Sequence, residues 1–175
     1  MESQPQSVVN PATAQAILQQ NRAILSARAR GGTDWFFWIA ALSLINTVTS
    51  FFNIQFSFIA GLAITQIMDG LALGLSKELS DSGRLIVLII AFCVNLGIAG
   101  LFMLAGFLAR KRQRWIIIIG MVLYALDALI FLFFQGWIAL LFHGWALWNI
   151  WNGLQMINKL NALEQQASQF TASQF

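Results

Sequence analysis

The sequence predicts an all-α fold: a polytopic integral membrane bundle of five hydrophobic helices, preceded by an amphipathic helix. Three observations predict it. Hydrophobic residues make up 58% of the chain and charged residues only 10%, whereas a soluble domain carries about 25% charged residues. So few charges cannot cover a water-facing surface. The apolar residues gather into five runs, each near the roughly 20 residues a helix needs to cross a hydrocarbon core of about 30 Å. The ten basic residues stand outside these runs, in four groups. The net charge of +3 is therefore read as a mark of orientation and of contact with anionic headgroups, not of nucleic acid.

The chain divides into 1–33, a polar tail and amphipathic interfacial helix; 34–158, the transmembrane bundle; and 159–175, a polar C-terminal tail into which the last helix is expected to run as far as about Gln166. "MESQPQSVVNPATAQ" has no basic stretch followed by an apolar core, so it does not read as a cleavable signal peptide. Asn10-Pro11 is a helix start, with Asn as N-cap and Pro at the first helical position. Ala14, Ile17, Leu18, Asn21, Ile24, Leu25 and Arg28 then recur at helical spacing, and Gly31-Gly32 is expected to end the helix. Such a helix lies on a bilayer surface or docks a partner protein.

The five apolar runs are Trp35 to Phe52, Phe56 to Leu75, Leu85 to Ala109, Trp115 to Phe134 and Trp137 to Ile157. Their crossings are counted from the basic groups: Arg22, Arg28 and Arg30; Lys77 and Arg84; Arg110, Lys111, Arg112 and Arg114; and Lys159. Five full crossings divide the charges five against five, which specifies no orientation. If the second run does not cross, the division is eight against two, as the positive-inside rule requires. That run also carries Thr65, Gln66 and Asp69, and an Asp at the centre of a spanning helix costs about 2.5–3.5 kcal/mol on insertion scales. Four crossings plus one re-entrant segment is the reading, with five crossings as the alternative. It places the N-terminus and the loop 110–114 in the cytoplasm of a bacterial inner (plasma) membrane protein.

Ionisable residues at membrane depth face the bundle interior or a wet cavity. Here they are Asp69, Asp127 and His143, the last being the only histidine. The fourth and fifth runs meet at Gln135-Gly136, so they pair antiparallel. Asp127 and His143 then lie at matching depth, about 10–12 Å from the turn. The pair locks the hairpin, or it relays protons, since an imidazole changes charge near neutral pH. A third reading is ligation of a haem or chlorophyll-type pigment. Ala139 stands four residues before His143, leaving room for a flat ring. This Ala-x-x-x-His spacing resembles the element of bacterial antenna polypeptides, over five residues. Asp69 shares a helical face with Thr65 and Gln66, forming a local hydrogen-bond cluster or an ion site at a broken helix. Asn95, flanked by Ala91 and Ala99, reads as helix-packing glue. Asn149 and Asn152, with Trp145 and Met156, form another face suited to a partner subunit. Trp35, Trp115 and Trp137 sit at segment ends, as in interfacial belts.

Cys93 stands alone, so no disulfide within the chain is expected. Phosphate loops, zinc spacings and nucleophile–base–acid sets are missing from the sequence, and neither an enzyme nor a cofactor is expected. The pattern resembles small bacterial inner-membrane proteins of four or five helices, a resemblance that implies no function. The expectation is an accessory or assembly subunit of a larger membrane complex, held with other membrane subunits or as a homo-oligomer. The alternative is a small-solute or proton carrier or channel using Asp69, Asp127 and His143.

Overall fold

In the computed structural model, which describes residues 11–52, 54 and 61–172, every regular element is a helix: α1 (Pro11–Thr33), α2 (Trp35–Phe51), α3 (Ala63–Ser76), α4 (Asp81–Arg110), α5 (Arg114–Phe133) and α6 (Trp137–Ala172). The fold is all-α, as the sequence predicts. The Asn10 cap and residues 56–60 of the second apolar run lie outside the described residues. By length and composition, α4 and α5 are apolar enough to cross a membrane.

Both sharp turns have a common physical origin. The backbone of Arg112 (φ 61°) and of Gln135 (φ 56°) is left-handed. Arg112 N–H donates to Ala109 O and Gln113 N–H to Leu108 O; Gln135 N–H donates to Leu132 O and Gly136 N–H to Phe131 O. Each is a Schellman closure that satisfies the last carbonyls of its helix. The chain thereby reverses within three residues, and α4, α5 and α6 run antiparallel in sequence.

The core is built by rings entering glycine holes. Phe36 and Phe37 project from α2. A methyl group at Gly120 of α5 would lie 2.5 Å from the Phe36 ring, and one at Gly106 of α4 would lie 2.8 Å from the Phe37 ring. Phe36 is wholly buried, with Ile39, Ile117 and Tyr124 around it.

Two expectations at the chain ends need correction. The last helix, expected to run into the polar stretch as far as about Gln166, continues to Ala172, so that α6, at 36 residues, is about 54 Å long. Nor does Gly31-Gly32 stop α1. The helix passes through both glycines to Thr33 and yields to α2 with only Asp34 between them. Gly32 serves contact instead. A methyl group there would meet Gly153 and lie 2.7 Å from the carbonyl oxygen of Asn149, so α1 and α6 touch backbone to backbone. Ala29 of α1 and Leu154, Ile157 and Leu160 of α6 are buried in this contact zone. One face of α1 is thus taken by the extension of α6, while Ile17 and Ile24 stay exposed.

The short helix α3 gives the fold its character. Leu62 lies beside Ser43, in the middle of α2, nine residues before Phe52. The chain therefore comes back about 13 Å along α2 before α3 begins. From there α3 runs parallel to α2, with Asp69 level with Thr47, and antiparallel to α4. It covers 14 residues, about 21 Å.

Candidate functional site: a helix start buried inside the bundle

A helix N-terminus presents N–H groups with no partner in the helix. On a surface, water takes them; inside a bundle, side chains must. The residue before α3 is Leu62, whose side chain holds no acceptor. Every cap is therefore imported. Leu62 N–H donates to Ser43 Oγ at 2.8 Å, and that hydroxyl donates onward to Ile39 O at 2.8 Å. Ala63 N–H donates to Asp127 Oδ2 at 2.8 Å and Ile64 N–H to Asp127 Oδ1 at 2.9 Å. The carboxylate straddles the first turn of α3, where the helix dipole is positive. Leu62, Ala63 and Thr65 are all buried.

His143 completes the cap. Its Nε2 lies 3.2 Å from Asp127 Oδ2, and its Nδ1 lies 2.8 Å from Ala139 O on its own helix. A carbonyl oxygen only accepts, so Nδ1 carries a proton. The contact between Nε2 and Oδ2 then needs a second proton, on one atom or the other. Tyr124 stacks on the imidazole, with centroids 4.2 Å apart and planes 17° from parallel, and Phe131 closes another side at 5.1 Å. His143 has no exposure at all. The matched depths of Asp127 and His143 therefore correspond to a direct contact. Both ring nitrogens are engaged, which leaves none for a pigment metal.

A second polar cluster lies farther along α3. Asp69 Oδ2 accepts from Thr47 Oγ1 at 3.0 Å, and Oδ1 accepts from Asn95 Nδ2 at 2.7 Å. The same amide nitrogen reaches Thr47 Oγ1 and Thr65 O. Asn95 is thus a three-helix tie between α2, α3 and α4, with Ala91 and Ala99 buried on either side. The expected Thr65–Gln66–Asp69 cluster does not form. Thr65 Oγ1 is consumed by Leu62 O at 2.8 Å within its own first turn, and among the described residues Gln66 Nε2 is buried without a partner, as are Asn95 Oδ1 and Tyr124 OH. A cavity of about 10 Å³ beside Asp69, Thr47 and Ser50 has room for about one water.

Asn149 donates its side-chain amide nitrogen to Trp145 O on its own helix, and its backbone carbonyl faces Gly32. Asn152 is half-buried. Trp145 packs edge-on against Trp35 at 4.7 Å, whereas Trp148 and Trp151 point outward. Sequence reasoning did not single out Ser43 or Tyr124. Neither stands in a motif, and each acquires its role from a helix that arrives later in the chain.

Between α4 and α5 runs an apolar groove of about 540 Å³. Ala105 and Gly120 line it, with Leu104 and Leu123 among its larger side chains, and Asp127 and Ile64 stand at its far end. Among the described residues, no group of three or more His, Cys, Asp or Glu is placed to hold a metal ion. In comparison with known proteins, the chain matches no family model, and no curated protein or solved structure is significantly similar to it.

Proposed function

We propose that the protein is a multi-pass membrane protein in which α2, α4, α5 and α6 cross and α3 is a re-entrant half-helix, and that it serves as an accessory or assembly subunit of a larger membrane complex. Several features support the membrane reading. Only 22% of the apolar stretch of α4 and 28% of that of α5 are buried within the bundle, so most of their apolar surface needs another apolar phase. A helix of about 21 Å is shorter than the hydrocarbon core, and a helix start at membrane depth is tolerated where protein satisfies its backbone. With α3 not crossing, eight basic residues share the cytoplasmic side.

The observation that carries the subunit reading is the α4–α5 groove. Its volume falls within the roughly 300–1,000 Å³ of ligand sites, and both its walls are helices. At Gly97 and Gly100 of α4, which neighbour the groove's lining residues in sequence without lining it, an added methyl group meets nothing within 4 Å. Small residues on a lipid-facing helix permit close helix approach, whereas lipid tails need no such allowance. The occupant that fits is one transmembrane helix of another subunit. A carrier role ranks second, because His143 is sealed and the groove that touches Asp127 is otherwise apolar.

The test is photo-crosslinking from Leu104 and Leu123 in native membranes, followed by affinity purification. One partner protein in stoichiometric amount is expected, lost in Gly100→Leu and not captured from Leu141 on the exposed face of α6. Lipid adducts alone, alike at all three positions, would overturn the reading.

A further inference from the structure

We propose that Arg30, Arg110 and Arg112 form a pocket for a single phosphate group. The three come from different elements: Arg30 from the last turn of α1, Arg110 from the end of α4, and Arg112 from the turn into α5. They converge on one concavity of about 100 Å³, floored by Ile157 and Leu160 of α6. That volume accommodates one tetrahedral oxyanion.

The arginines are held by one edge and leave the other free. Arg110 Nε donates to Asp34 Oδ1 at 2.8 Å, and its guanidinium lies 4.4 Å above the Phe37 ring. Arg112 Nη1 donates to both carboxylate oxygens of Glu164, at 3.0 and 2.9 Å. A guanidinium has five N–H donors, so both arginines retain unused ones. The left-handed backbone at Arg112 closes the turn from α4 into α5. Arg30 has no acidic partner among the described residues, so the two carboxylates leave one guanidinium uncompensated. The Ser26 hydroxyl, also lining the pocket, makes no hydrogen bond among the described residues. Spare N–H groups in a fork geometry, one uncompensated positive charge and a free hydroxyl are the chemistry that recognises phosphate.

Two sources carry that chemistry, an anionic phospholipid headgroup and free phosphate. The pocket lies level with the turn 110–114, which the proposed topology puts at the cytoplasmic boundary. The phosphate chemistry itself does not depend on that topology.

The test is thermal unfolding of the full chain in detergent micelles, titrated with phosphatidylglycerol, with inorganic phosphate at constant ionic strength, or with net-neutral phosphatidylcholine. A saturable rise in midpoint is expected with the first or the second, and not with the third. Saturation by phosphatidylglycerol alone identifies a lipid site; saturation by inorganic phosphate identifies a free-phosphate site. Arg30→Gln is expected to weaken the apparent affinity about tenfold, as loss of a charge-assisted hydrogen bond does, and Ser26→Leu to do the same by filling the pocket at constant charge. Lys111→Gln, which removes an exposed charge outside the pocket, is expected to change it less than about twofold. No saturable shift with either phosphate source would overturn the proposal. So would equal weakening by Arg30→Gln and Lys111→Gln with Ser26→Leu unaffected, which is the signature of diffuse surface charge.

Discussion

Replacing Asp127 by alanine is expected to destabilise the protein by about 3–5 kcal/mol, as removal of one partner from a buried pair does. The substitution strips the acceptors from Ala63 N–H and Ile64 N–H and leaves His143 Nε2 facing a void. A buried donor without a partner costs about 1–3 kcal/mol. Asp127→Asn should fall between. Its one carbonyl oxygen still caps one N–H, and its amide can donate to a neutral imidazole, but the second helix N–H is lost. Ser43→Ala, which removes the acceptor for Leu62 N–H, should cost about 1 kcal/mol, the usual worth of a cap. The order wild type, Ser43→Ala, Asp127→Asn, Asp127→Ala is read from chemical or thermal unfolding in micelles. Hydrogen exchange should quicken at both Ala63 and Ile64 in Asp127→Ala and at one of the two in Asp127→Asn. Equal stability of Asp127→Ala and wild type would show that α3 does not depend on this cap.

Two adjacent glycines are expected to respond to the same change with opposite signs. Gly31→Ala adds a methyl group that meets nothing within 4 Å, so it should stabilise by about 0.5–1 kcal/mol through the lower backbone entropy of the unfolded chain. Gly32→Ala drives its methyl group into Gly153 and the Asn149 carbonyl. Backbone cannot step aside as a side-chain tip can, so α1 and α6 must separate, at a cost of about 1–3 kcal/mol. Gly153→Ala should act like Gly32→Ala, since its methyl group would lie 2.8 Å from the Gly32 Cα. Unfolding midpoints of the three variants decide the matter, and proteolysis within α1 should accelerate in the two destabilised ones.

What the sequence conveyed follows from how local each signal is. The runs 85–109 and 115–134 match α4 and α5 to within a few residues, because an apolar stretch bounded by charges is a local pattern. The meeting of Asp127 and His143 was legible as depth, since a short turn ties the two helices together. The facing of the side chains needed the structure. The start of α3 was not legible, because its cap lies 64 residues away and Leu62, at the cap position, has no side-chain acceptor of its own. Asp69 was assigned its neighbours on one helix, but local spacing loses when a hydroxyl is already spent, as that of Thr65 is. The helical course of the polar residues after 158 was legible to about Gln166, and α6 runs on to Ala172. They fold as α6 because α1 supplies a second surface, reached through a glycine contact that no periodicity announces.

The return of the chain through α3 is tested most directly by cysteine accessibility. In a Cys93→Ala background, single cysteines at Ile54, Glu78 and Lys111 are labelled in intact cells with a membrane-impermeant maleimide. If α3 is a re-entrant half-helix, Ile54 and Glu78 label together from outside, and Lys111 labels only after the membrane is opened. Labelling of Ile54 and Glu78 from opposite sides would mean that the segment crosses fully, and would contradict the proposed topology.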